Sequence, residues 1–431
     1  MKQNFKKVAY LLPLFTVAAL GSCNDENMND ESVAATGNEK VLDEKVLSLS
    51  SKNHRLSIDE AMKYAMKADE MIGVEGNGLK SSKQKSIANV SVLTIGNANG
   101  LKSSSAKKDT TAYVFNFAND EGFAIVSADD RIGEPVIAYI EKGSYNAESP
   151  DIMQDIMMAN VNDYVANSIN KYEAEKDLLN TMVLSGEANA QKSLKSSKAT
   201  LLATYTRGPL LTTRWGQHYE YNDAIERAKG SDFLVGCCAV ACSQVMGYYR
   251  APNVVRSKGN VYSMKWADIM KNPCINFTSD PGVKDLQELL YQVARGIDTD
   301  FGLDGSSSNL RHVRDFLENN QYDVTKRNYD AEKVAKYVNN YKPVIIDGRK
   351  ALSSKAHCWV IDGLKQMKYR YRGSNVVISY FHHNWGWYGN NNGWFKVGVF
   401  DPDEYSQLDG VSTTGHNDYR KSNDCLYITK K

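Results

Sequence analysis

Net charge is nearly absent from this 431-residue chain: 52 Lys and Arg stand against 51 Asp and Glu, which leaves +1 at pH 7. With charged residues at 24%, neither a nucleic-acid partner nor an acidic solubilising tail is implied. Cysteine is scarce and unevenly placed. Three of the seven crowd into residues 237–242, one is Cys23, and Cys274, Cys358 and Cys425 are scattered. This is not the even, spaced pattern of a disulfide framework. No CxxC pair faces a second CxxC or an HxxxH, which argues against structural zinc, and neither a metal nor an organic cofactor is expected. Long apolar runs are missing too: Val8 to Leu20, interrupted by Pro13, falls short of the roughly 20 residues a spanning helix needs. Aromatics, in contrast, reach 10% with 25 Tyr, which favours a sheet-rich, well-packed globule over disorder. The length allows two or three domains.

The basic stretch Lys2–Lys7 followed by that short apolar run has the layout of a secretory signal. It ends Leu20-Gly21-Ser22-Cys23, which resembles the lipobox of bacterial lipoproteins. The resemblance implies a signal peptide over 1–22, lipidation of Cys23 and an exported lipoprotein at the outer membrane or cell surface. Residues 23–52 begin polar and acidic and are expected to form a flexible tether.

Ser57-Ile58-Asp59-Glu60 is a capping-box signature opening a helix. A β pattern follows: Val90 to Ile95, then Tyr113-Val114-Phe115-Asn116-Phe117 and Phe123-Ala124-Ile125-Val126-Ser127 around an Asn-Asp-Glu-Gly turn. Val136 to Ile140 predicts a further strand, and Ile152 to Leu178 one long helix. Residues 186–207 are rich in Ser and Lys and are expected to be a linker open to proteolysis. The boundaries expected are a first domain over 53–185 and a second over 208–431.

The second domain carries the chemistry. In Gly236-Cys237-Cys238-Ala239-Val240-Ala241-Cys242, small and apolar residues predict a buried helix with a cysteine in its first turn. Unpaired N–H groups and the helix dipole lower a thiol's pKa there and prepare a nucleophile. Trp215-Gly216-Gln217 precedes it, and a glutamine amide beside a thiolate can donate to an oxyanion. His357 begins an apolar strand, and Asn384-Trp385-Gly386-Trp387 ends another. An Asn side chain can fix an imidazole's tautomer, as the third member of a triad does.

Gln, Cys, His and Asn in that order, each in its own context, resemble the streptopain family of papain-like cysteine peptidases. The hairpin with Ser127-Ala128-Asp129-Asp130-Arg131 after it resembles that family's pro-region. The resemblance implies an α+β fold: a papain-like two-subdomain peptidase, a helical subdomain against an antiparallel sheet, preceded by a separate α+β pro-domain that inhibits it. It implies Cys237 as nucleophile, His357 as base and acid, Gln217 as oxyanion donor, Asn384 orienting His357 and Trp385 covering their contact. Gly305, Ser306 and Ser307 lie in a loop that borders the substrate cleft in related enzymes, while the late loop Gly410–Gly415 is poorer in glycine than the family pattern. Cys238 and Cys242 also depart from that pattern. Expected partners are protein or peptide substrates, the chain's own pro-domain and a membrane through Cys23. The alternatives are a Cys–His amidase or acyltransferase, or a non-catalytic surface-binding or inhibitor lipoprotein.

Overall fold

The computed structural model describes residues 41–51, 53–73, 85–95, 109–148, 151–187, 199–276, 279–349, 356–401 and 423–431. The signal peptide, Cys23, linker residues 188–198 and the Gly410–Gly415 loop lie outside them. A short strand, β1 (Val41–Leu42), pairs in parallel with Asn375 and Val376, and a 3-10 turn over Glu44–Ser48 follows. Leu42 and Val46 are buried. Residues 41–51 are therefore packed where the sequence reading expects a flexible tether. Two apolar side chains anchor a polar segment once a sheet surface receives them.

In α1 (Ile58–Ile72) the Ser57 hydroxyl accepts from the Glu60 N–H at 3.3 Å, and the Glu60 carboxylate accepts from the Ser57 N–H at 2.8 Å. The predicted capping box is complete, and Ala61, Ala65, Ala68 and Ile72 form the buried stripe. Strands β2 (Ile87–Ile95), β3 (Asp109–Phe117), β4 (Phe123–Ser127) and β5 (Val136–Ile140) make an antiparallel meander. Alternation along β3 sends Ala112 and Val114 to one face and Tyr113, Phe115 and Phe117 to the other. The first face is covered by α2 (Ile152–Glu187) through Met153, Ile156, Met157 and Val161, the second by α1.

The second half of the expected linker is not loose either. Residues Thr200–Arg207 form β6, an exposed strand paired antiparallel with residues 364–370. Main-chain pairing, which composition does not reveal, holds it.

A helical layer comes next: α3 (Asp223–Lys229), α4 (Cys237–Tyr249), a hairpin of β7 (Val254–Ser257) and β8 (Asn260–Ser263), then α5 (Trp266–Ile269), α6 (Val283–Gly296) and α7 (Leu310–Asn319). Last come β9 (Tyr322–Asn328), α8 (Ala331–Asn339), β10 (Val344–Arg349), β11 (Ala356–Tyr371), β12 (Ser374–Asn384), β13 (Gly393–Lys396) and β14 (Asp424–Lys430). Helices α4, α6 and α7 pack on Ile345, Cys358, Val360, Leu426 and Ile428, while α8 packs on Ile346, Trp359 and Ile361 on the opposite face. Helices against an antiparallel sheet is the α+β arrangement expected.

The two regions share one sheet, ordered β2-β3-β4-β5-β13-β12-β11-β10-β14-β9. The seam is β5 against β13, with Tyr139 opposite Trp394. Beside it the buried Lys396 ammonium donates to the carbonyls of Ile132 (3.1 Å) and Glu134 (2.7 Å) and pairs with Glu44 at 2.9 Å. A buried ammonium requires such partners: two are carbonyls of the first domain, and the third is Glu44 of the packed 41–51 segment before it.

Candidate active site

Gly236 makes the entry to α4 feasible. Its φ of 93° suits glycine, and a Cβ there would stand 3.4 Å from Ser306. The chain turns at this point and Cys237 becomes the first residue of α4, whose next ten residues are all buried. Cys237 is partly exposed as a residue, and its thiol lies near enough to His357, the second residue of β11, for that imidazole to act on it. The adjacent Cys238 thiol, and then burial, push the Cys237 thiol well above its ordinary range, with His357 pulling the other way. These effects oppose the lowering that a helix N-terminus supplies.

The His357 ring is buried beside two indoles that stack on each other, with its centroid 6.1 Å from Trp359 (13° between planes) and 5.9 Å from Trp385 (24°). Its Nε2–H donates to the main-chain carbonyl of Trp385 at 2.8 Å. A carbonyl only accepts, so this bond puts the proton on Nε2 and leaves Nδ1 as the basic atom of the neutral ring. The Trp385 peptide is itself held: its N–H donates to Asn392 Oδ1 at 3.0 Å.

Asn384 does not take the role expected of it. Its Nδ2 donates to the Thr213 carbonyl (2.8 Å), and its Oδ1 accepts from Gln244 Nε2 (3.2 Å) and the Gly386 N–H (3.1 Å). Thr213 Oγ1 closes the ring by donating to Gln244 Oε1 at 3.0 Å. Asn384 thus ties the end of β12 to α4 through Gln244 and to the segment before α4 through Thr213. The acceptor for His357 is the carbonyl one residue later. Thr213 and Gln244 escaped the sequence reading, because an amide inside an apolar helix signals only that some partner exists.

Gln217 is buried, and its carbonyl accepts from the Val235 N–H at 2.9 Å, which lays it beside the segment entering Cys237. Tyr388 supports this turn: its ring occupies the space a Gly216 side chain would need, and its hydroxyl accepts from the His218 N–H at 2.8 Å. Sequence reasoning missed Tyr388 as well. In the Gly305–Ser307 loop, Ser306 is spent on structure: its Oγ donates to the Leu234 carbonyl (2.6 Å) and accepts from the Gly302 N–H (3.0 Å). Ser307 pairs main chain to main chain with Asp300, whereas Gly305 has open space around it.

The first domain reaches the neighbourhood of this site at Asn391 and Asn392. The Glu141 N–H donates to the Asn392 carbonyl (2.9 Å), and the Asn391 N–H to the Lys142 carbonyl (3.0 Å). Asn392 is the residue whose side chain fixes the Trp385 peptide.

His382 and His383 flank the site at the end of β12, and they differ in charge. Burial opposes protonation of His382, yet Asp362 (2.6 Å) and Glu141 (3.7 Å) outweigh it and push the ring up to about 10. Burial, with the His382 charge added, holds His383 well below its ordinary value. Its Nδ1 accepts from Trp359 Nε1–H at 2.8 Å, a bond that needs that nitrogen unprotonated. The unfolded chain takes up a proton at His383 below about pH 6.5 and the folded chain does not, so stability falls as pH drops below that value. Close to pH 6.5 the half-neutral unfolded His382 ring offsets part of this loss, and well below that value His382 is charged in both states and adds no slope. Urea melts between pH 6.5 and 5 should lose up to about 1.4 kcal/mol per pH unit from this group. His383→Gln, which keeps an acceptor for Trp359, should flatten the dependence; an unchanged slope would count against it.

Among the described residues no group of three or more His, Cys, Asp or Glu side chains could hold a metal ion.

Comparison with known proteins bears on this geometry. Residues 215–395 match the Peptidase C10 family, and residues 54–165 match the Spi protease inhibitor family. Streptopain of Streptococcus pyogenes is 25% identical over 345 residues, covering 70% of this chain and 77% of streptopain. The thiol protease/hemagglutinin PrtT of Porphyromonas gingivalis is 26% identical over 312 residues, 65% of this chain and 33% of that protein. Among solved structures, a prointerpain A fragment of Prevotella intermedia aligns over 78% of this chain and 98% of the fragment, with 18% identity and a TM-score of 0.47.

Proposed function

The chain belongs to the streptopain family of cysteine peptidases, with that family's inhibitor-like pro-domain, and from this premise we propose that it is an exported, lipid-anchored endopeptidase working through Cys237 and His357. The observation that carries the residue assignment is that His357, at the start of β11 and near Cys237 at the start of α4, has its Nε2 tied to the Trp385 carbonyl. Cys237 gives its proton to His357 and attacks the scissile carbonyl of a protein substrate. The Gln217 amide and the Cys237 backbone N–H donate to the oxyanion. His357 then protonates the leaving amine, and water hydrolyses the thioester. The Trp385 carbonyl orients the imidazole, and the loop at Gly305–Ser307 borders the substrate.

Residues 41–187 act as the intramolecular inhibitor, and the activating cut falls within 188–198, between the end of α2 and the start of β6. Cleavage there leaves β6 on the peptidase sheet. Purified wild type should convert itself by cutting in that window, and Cys237→Ala should stay intact under the same conditions. Identical conversion of both would refute the assignment. Cys23 carries the anchor: a radiolabelled fatty acid should enter wild type and not Cys23→Ser, and equal labelling would exclude lipidation there.

A further inference from the structure

Three segments of the chain meet at Lys396. It ends β13 of the peptidase sheet, and its buried ammonium reaches the Ile132 and Glu134 carbonyls of the first domain and the Glu44 carboxylate at 2.9 Å. Glu44 lies in residues 41–51, which precede the stretch from residue 54 that matches the inhibitor family. This short segment touches both halves of the molecule. Val41 and Leu42 pair with Asn375 and Val376 of β12, and Leu42 is buried in the core that contains Val376, Ile378 and Tyr380. At the other end the Ser51 hydroxyl donates to the Asp130 carboxylate of the first domain. Between these ends the segment crosses Gly133, whose φ is 88°. A Cβ there would stand 2.8 Å from Glu44 Cγ and 2.9 Å from the Glu44 carbonyl carbon, so a glycine leaves room for the crossing.

We propose that residues 41–51 are a strap that keeps the zymogen closed after the linker is cut, with the Glu44–Lys396 ion pair as its lock. The idea rests on residues 41–187 inhibiting the peptidase. A cut within 188–198 breaks no bond of the strap, because the ion pair and the β1–β12 pairing both lie elsewhere. Pulling the first domain away must strip the Lys396 ammonium of a carboxylate and two carbonyls at once, and must lift Leu42 off the sheet. Breaking a buried, hydrogen-bonded charge pair acts chiefly on the rate of dissociation.

The lock serves only the closed form. Once the first domain is gone, water replaces its groups around Lys396, and hydrolysis does not use that side chain. Release of the enzyme therefore takes two events, the linker cut and the dislodging or cutting of the strap.

The test places the recognition site of a site-specific protease in the linker of the full chain, in a Cys237→Ala background so that self-digestion does not intervene. The chain is held on a surface through a C-terminal tag, the linker is cut, and loss of the first-domain piece is followed in flowing buffer. With the natural strap the piece should stay bound through the wash. Glu44→Ala, Lys396→Met and Gly133→Ala should each speed its loss at least about tenfold. The Glu44→Ala/Lys396→Met double variant should do so by clearly less than the product of the two single effects, since both remove one ion pair. Leu42→Ala, which leaves the charges in place, should also speed the loss and serves if the other variants fold poorly. With Cys237 intact, the same variants should give peptide hydrolysis sooner after the linker cut, while fully processed Lys396→Met enzyme keeps kcat/KM within about twofold of wild type. Loss of the piece from the natural chain on linker cutting alone would overturn the strap, and unchanged dissociation in Glu44→Ala and Lys396→Met would overturn the lock. Absence of hydrolysis in fully processed wild type would instead refute the peptidase residues, which the dissociation rates do not depend on.

Discussion

Cys237→Ala should lower peptide hydrolysis by about 10⁴-fold or more, while Cys238→Ala should keep activity within about tenfold of wild type. The contrast follows from position. Cys237 is partly exposed and lies near His357, whereas Cys238 is buried in the apolar core. Its own thiol is held well above the ordinary range. The check is active-site titration of the processed enzyme with a thiol-directed peptide inhibitor, followed by mass spectrometry of the labelled peptide from each variant. Stoichiometric label should sit on Cys237 and survive in Cys238→Ala. Label on Cys238, or hydrolysis that tracks Cys238, would move the nucleophile by one residue and leave His357 without its partner.

Asn384→Ala should destabilise the protein by about 2–4 kcal/mol, because it leaves a buried carbonyl at Thr213 and a buried amide at Gln244 without partners. Gln244→Ala should cost a similar amount. The double variant should cost clearly less than the sum, since the two side chains belong to one closed ring with Thr213. Activity should fall too, because that ring ties the nucleophile's helix to the strand before Trp385. The shape of the kcat/KM pH profile should persist, however, because the His357 proton is set by the Trp385 carbonyl. Urea melts and pH profiles of the three variants decide the matter. A shifted pH limb in Asn384→Ala with unchanged stability would return Asn384 to the imidazole.

Much of the fold was legible because its determinants are local. The capping box at Ser57 and Glu60 and the alternation in β3 each state their own conformation. The small-residue run from Gly236 does the same for α4. The elements misread, β1 and β6, are held instead by main-chain bonds to strands lying more than 150 residues further along the chain. A polar strand paired at a distance has the composition of a linker.

The site divides the same way. The sequence by itself determined which residue types are present and in what order: Gln217, Cys237, His357 and Asn384, each in a context that names a chemistry. Only the tertiary structure decided which atoms meet. A side chain's type limits whether it donates or accepts, but its partner depends on angstrom-scale placement by segments far apart in the chain. Asn384 and Trp385 are adjacent, and a one-residue difference transferred the His357 bond from an amide oxygen to a peptide oxygen. The same alternation turns Cys358 away from His357 and into the core that α4 packs against.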